Sequence, residues 1–389
     1  MDLFLAGASI FHGETKLIPS GYLRVKNGKI AEIGSQEHVK PEAGEQQIIL
    51  PKDGLILPGM IDVHVHGANG SDFMDGTVQS FTQIASTLPK EGVTSFLATT
   101  MTQKKEELDH VLYQLGKWIC SNHLGQAHCL GIHLEGPFIN QDRSGAQPKA
   151  FVRSPDIYLF MEWQQTASEQ IRLVTLAPEE KGAIQLIKYL TQTGVVASIG
   201  HSDATFQQCQ QAIAAGVTHI THLFNGMRGL HHREPGVVGA AFLHDDVMVE
   251  VIADGVHVHP EILRIALKQL TSSRLILITD AMRAKCLQAG IYDLGGQKVY
   301  VSDDEARLHD GTLAGSTCKM NEVAQRMSHL GCSVQEIVRM TSINPAKQLN
   351  LFKLKGSIEI GKDADLVVVD QDWKVKLTIC QGVVTYADL

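Results

Sequence analysis

The chain has 389 residues, 44% of them hydrophobic and 20% charged, the make-up of a soluble globular protein; its length exceeds what one core serves well, so a large unit plus a smaller one is expected. A formal net charge of −8 and a pI near 6.1 argue against a nucleic-acid partner, which would call for a basic surface. No eighteen-residue apolar run occurs and the first residues, MDLFLAGASIFHGETKL, have no positive charge ahead of their short apolar stretch, so a cytosolic protein with no membrane partner is expected.

The first fifty residues hold short β-like runs, GYLRVKNGKIAEIG and QQIILP, punctuated by Gly, Asn and Pro. The last forty, with KGSIEIGKDADLVVVD and VKLTICQGVVTYADL, have the same character. Residues 1–56 and 350–389 are therefore expected to build one small β-sandwich from both chain ends. Between them, residues 57–349, apolar runs alternate with helix-length segments such as GAIQLIKYLTQTG and HPEILRIALKQL. The runs LILPGMIDVHV, VTSFLATT, CLGIHLE, IRLVTLAP, VVASIGH, VTHITH, VMVEVIAD and RLILITD number eight, which predicts an α/β fold, a (β/α)8 TIM-like barrel. An open doubly wound sheet is the alternative, and no GxGxxG turn follows the first strand to favour it. Seven cysteines without CxxC spacing read as reduced, mostly buried thiols.

The residues that end these strands carry the functional signal. His64 and His66 close the first run, Glu135 the third, His201 the fifth, His222 the sixth and Asp280 the eighth. Alternate residues of a strand share a face, about 6.6 Å apart along it, so His64 and His66 can serve one ion. In a barrel the C-terminal strand ends meet at one mouth, where active sites of this fold sit. Six candidate ligands from five segments thus converge. Mixed imidazole and carboxylate donors suit a divalent transition metal, most simply zinc, with iron or manganese as alternatives. An acid directly after an apolar run, as Asp280 is in LILITDAM, needs a strong reason to be there, and a general base beside a metal supplies one. His133 and His219 read instead as packed or supporting histidines.

The motifs LPGMIDVHVHG, HLEGPFIN, SIGHSDA, THLFNGM, REPGVVGA, IADGVHV, TDAM, GTLAGS and GSIEIGKDADLVVVD, in this order, resemble the amidohydrolase superfamily and within it the N-acetylglucosamine-6-phosphate deacetylase family, across nearly the whole chain. The resemblance implies hydrolysis of the acetamide of N-acetyl-D-glucosamine 6-phosphate to glucosamine 6-phosphate and acetate, in amino-sugar catabolism. It implies Glu135, His201 and His222 as ligands of the principal metal and His64, His66 and Asp280 as the second site, two metals per subunit. A metal-activated hydroxide would attack the acetyl carbonyl, with Asp280 as base and then acid. The resemblance also places Asn225, Gly226 and His257 at the substrate, Leu313 of GTLAGS against the acetyl methyl, and Arg233 of HHREPG on the phosphate of the neighbouring subunit's site, in a homodimer.

One departure stands out. Where many relatives have a GAH-like triplet whose histidine bonds the acetyl carbonyl, this chain has SGAQP and hence Gln147, which donates but cannot become a cation. A cyclic-amide hydrolase of the same superfamily is the nearer rival, but its bridging lysine is missing from TLAPEE at the end of strand four. A deacetylase for the galacto epimer and a non-catalytic scaffold are the others; a scaffold should have lost ligands, and all six are present.

Overall fold

The computed structural model describes residues 2–35, 39–121, 123–302 and 305–389. Eight strands form one parallel sheet in chain order: β1 (Met60–Val65), β2 (Val93–Thr100), β3 (His128–Glu135), β4 (Ile171–Leu176), β5 (Val196–Ile199), β6 (His219–Ile220), β7 (Met248–Ile252) and β8 (Leu275–Ile278). The helices α1 (Val78–Thr87), α2 (Lys105–Ile119), α3 (Ile157–Thr166), α4 (Ala183–Gln192), α5 (Phe206–Ala215), α6 (Gly236–Leu243), α7 (Pro260–Arg274) and α8 (Met320–His329) follow them one by one. The expected (β/α)8 barrel is what the chain forms. Its helices start where the sequence provides caps: Asp156 caps α3, and Thr205 with Gln208 makes a reciprocal capping box on α5. Ala183, Leu186, Ile187 and Leu190 of α4 recur at helical spacing and are buried.

The barrel closes between β1 and β8 at the end that carries the candidate ligands. The Asp280 N–H donates to the His64 carbonyl at 2.8 Å, and the His66 N–H to that of Ala281 at 2.9 Å. Farther down, the buried Asp62 carboxylate takes the place of ladder bonds, accepting from the Thr279 hydroxyl at 2.6 Å and its N–H at 3.3 Å. Burial pushes the Asp62 carboxyl up, and the nearby Lys285 charge opposes it. Ile61, Leu97, Leu130, Leu173, Ile252, Ile276 and Ile278, from six of the eight strands, form a single cluster that fills the barrel below the mouth.

Both chain ends build a separate pair of sheets. One orders its strands Lys29–Ser35, Gly21–Lys26, Leu3–Ala6 and Gln46–Ile49; the other Val383–Ala387, Val375–Cys380, Leu366–Val369, Leu55–Pro58, Ser9–His12 and Lys16–Ile18. The DLVVVD run is buried on both faces. Leu366 and Val368 enter the core between these sheets, whereas Val367 and Val369 pack on the barrel's outer core, as a two-residue period requires. Five of the seven free cysteines are buried. No helix among the described residues is long and apolar enough to cross a membrane.

The run LILPGMIDVHV is two strands, Leu55–Pro58 of the terminal sheet and β1, separated by Gly59. The Gly59 N–H donates to the Asp365 carbonyl at 2.8 Å, and a Cβ at this position would lie 2.1 Å from Thr94 Oγ1. Gly59→Ala is expected to lower the unfolding free energy by about 2 kcal/mol, a usual cost of overpacking, read as a reduced urea midpoint. An unchanged midpoint would mean that Thr94 gives way freely.

Candidate active site

The strand ends turn sharply at the mouth. His201, His222 and Asp280 all have left-handed backbones, with φ of 47°, 30° and 48°. Such a conformation in non-glycine residues is strained and tends to mark functional positions. Here it swings each side chain off the strand direction toward one point, to which His64, His66 and Glu135 also reach.

Glu135 is the hub. Its Oε1 lies 3.1 Å from the Nε2 atoms of both His201 and His222 and 3.3 Å from His64 Nε2, while its Oε2 lies 3.2 Å from His66 Nε2. Asp280 Oδ1 faces the same pair, 3.2 Å from His66 Nε2 and 3.5 Å from His64 Nε2. Two ligand-like groups meet at this point, Glu135 with His201 and His222, and His64 with His66 and Asp280, and a third joins His64 to His133 and Glu250; within each the donor atoms lie within 4.8 Å of one another. All six residues are buried.

The donor chemistry fits divalent cations. The Nε2 atoms of His201 and His222 sit 3.1 Å apart, and the buried His64 Nε2 has no aligned hydrogen-bond partner although it points among carboxylates. The His201 Nδ1–H donates to the Arg143 carbonyl at 2.9 Å, which frees Nε2 as a lone pair. Burial opposes charge on His64 and His66, yet the carboxylates around them prevail. His64 is raised well above the usual imidazole range and His66 to about 9, while Glu135 and Asp280 are held low by the imidazoles despite their burial. Metal binding at these ligand atoms would compete with protons.

A cavity opens above this cage. Its wall includes the ligand residues His66, Glu135, His201, His222 and Asp280 together with Gln147, Asn225, Gly226, His257 and Leu313. His257 donates through Nδ1 to Asp254 Oδ2 at 2.7 Å, which leaves its other nitrogen for a ligand. Gln147 is pinned: its Oε1 accepts the Thr102 N–H at 2.6 Å, and its Nε2 donates to Glu135 Oε2 at 2.7 Å. A backbone N–H on one side and a carboxylate on the other fix which end of the amide is which. Arg233 is the one predicted residue that stands apart. It is exposed, its Nη1 2.8 Å from His232 Nε2, and does not line the cavity of its own chain.

Sequence reasoning missed Glu250, a fully buried acid in β7 that contacts both His64 and His219. Its signal was an acid flanked by valines inside an apolar strand. It also missed the hydroxyl ladder beneath the cage, in which His133 Nε2 meets Thr175 Oγ1 at 2.7 Å and Thr175 meets Thr221 at 2.7 Å. Burial, aided by the neighbouring His64 charge, lowers His133 well below the imidazole range and keeps it neutral.

Known proteins resemble this chain over nearly its whole length. Residues 55–385 match the amidohydrolase family. An N-acetylglucosamine-6-phosphate deacetylase of Bacillus subtilis (strain 168) is 47% identical over 96% of this chain and 94% of its own length. An N-acetylgalactosamine-6-phosphate deacetylase of Escherichia coli O157:H7 is 36% identical over 92% of this chain and 93% of its own. Among solved structures, a mutant N-acetyl-D-glucosamine-6-phosphate deacetylase from Mycobacterium smegmatis, in complex with N-acetyl-D-glucosamine-6-phosphate, superposes with a TM-score of 0.91 at 32% identity, covering 99% of this chain and all of that one. The chain belongs to the amidohydrolase family, among its N-acetylglucosamine-6-phosphate deacetylases.

Proposed function

We propose that this enzyme hydrolyses the acetamide of N-acetyl-D-glucosamine 6-phosphate, releasing glucosamine 6-phosphate and acetate, and that it does so with two divalent metals per subunit. The observation that carries this reading is the cage of two ligand groups joined at Glu135, open to a cavity. Glu135, His201 and His222 would hold one ion and His64, His66 and Asp280 the other, with zinc the simplest occupant and iron or manganese the alternatives. When bound, a divalent metal lowers the pKa of water to about 7 and polarises a carbonyl.

The chain's own residues supply the rest. Asp280, ionised at neutral pH, accepts the proton of the attacking water and returns it to the nitrogen as the C–N bond breaks. Gln147 spends one N–H on Glu135 and keeps the second for the acetyl oxygen. Leu313 faces the acetyl methyl; Asn225, Gly226 and His257 orient the sugar. Arg233, exposed on its own chain, reaches the phosphate of a partner's site in a homodimer, where its planar fork suits phosphate oxygens. Seven unpaired cysteines support a reducing compartment, the cytosol.

The Escherichia coli relative supports a second reading, the galacto epimer as substrate. Acetate release from N-acetylglucosamine with and without its 6-phosphate, and from the galacto 6-phosphate, decides among these. The gluco 6-phosphate is expected to have the highest kcat/KM. Arg233→Ala should raise its KM by about 10- to 100-fold, the worth of a charge-assisted hydrogen bond, and leave the unphosphorylated sugar unaffected. A phosphate preference untouched by that substitution would remove Arg233 from the site.

A further inference from the structure

Glu250 is the acid that the ligand cage does not account for. It lies in β7 between Val249 and Val251, with no exposed surface. Its carboxylate accepts three hydrogen bonds: from His64 Nδ1 at 3.0 Å, His219 Nε2 at 2.9 Å and the His222 N–H at 3.3 Å. Its ion-pair partners among the described residues are these two histidines, with no Lys or Arg. A carboxylate so deeply buried is costly unless a cation compensates it.

The position of that charge suggests which cation. We propose that Glu250 is the positioning residue of the second metal site: by accepting the Nδ1–H of His64 it fixes the tautomer whose Nε2 lone pair enters the cage, and it supplies the charge that makes a second divalent ion favourable there. This inference rests on the two-metal reading above. The two ligand groups are oriented differently, since His201 leans on a neutral carbonyl, that of Arg143, whereas His64 leans on a carboxylate. A carboxylate behind an imidazole makes it the more basic ligand. His219 anchors the far oxygen, which explains an otherwise unemployed buried histidine.

Equilibrium dialysis of the full-length protein against Zn²⁺, with elemental analysis, tests this. Wild type is expected to hold two ions per subunit. Glu250→Gln, nearly isosteric and uncharged, should keep the first ion at unchanged affinity and weaken the second by 10- to 100-fold, the usual effect of losing such a support. With Mn²⁺ instead, the spin-coupled pair signal in electron paramagnetic resonance should give way to that of an isolated ion. A purely structural role would lower the melting temperature and leave both affinities alone, and that result overturns the proposal. Should Glu250→Gln fail to fold, His219→Gln keeps the carboxylate but removes one anchor; it should weaken the second ion by several-fold, and unchanged binding overturns the proposal equally. A wild-type stoichiometry of one ion would instead defeat the two-metal reading before any variant is made.

Discussion

Asp280→Asn is expected to lower turnover of N-acetylglucosamine 6-phosphate by about 10³-fold, within the range that positioned proton transfer contributes. The substitution preserves shape and leaves an oxygen to face His66 and His64, now 3.2 and 3.5 Å away. It removes the ability to take a proton from water and hand it to the departing nitrogen. KM should change little, since the group's largest contribution is made as the C–N bond breaks. Acetate release measured beside metal content separates the two ways of failing: a variant with wild-type metal content and a collapsed kcat supports the proton-transfer role. A kcat within threefold of wild type would eliminate it.

Glu135→Gln should have a still wider effect. Four imidazole nitrogens lie within 3.3 Å of its two oxygens, two from its own ligand group and two from the other. The amide presents an N–H dipole where a cation needs a lone pair, and it removes one of the negative charges that offset the metal's charge. Both ions should be lost on gel filtration in metal-free buffer, and activity should fall by at least about 10³-fold, because water would revert toward its ordinary pKa. Retention of two tightly held ions would show that Glu135 is not the bridge.

Much of this could be read from the amino-acid order because the relevant residues break a local rule. Asp280 and Glu135 are acids at the ends of apolar strands, and His64 with His66 share a strand face; their rings are 5.2 Å apart. Strand positions were legible for the same reason, as buried parallel strands read as continuous apolar runs. What stayed hidden depends on contacts between distant segments. Glu250 looks like any acid in a strand until β6 pairs with β7 and His64 of the non-adjacent β1 reaches it, and Gln147 gives no sign that Glu135 is its partner. The run VTHITH shortens to His219–Ile220 because His222 turns left-handed, a price of its inward aim. Arg233 remains legible only as a motif, since its own chain gives it the adjacent His232 and no place on the cavity wall.

The pairing of Leu55–Pro58 with Leu366–Val369 bears on how the molecule is made. The peptide that leads directly into His64 waits for a partner some three hundred residues later in synthesis, and β1 itself waits for the segment around Asp280. Contacts so far apart in sequence form slowly. Until the ribosome has delivered the last strands, LILP has only Ser9–His12 beside it and its other side is an open apolar edge, the kind that invites association between nascent chains. A chain cut short before residue 366 therefore leaves the entry to β1 unclamped on one side.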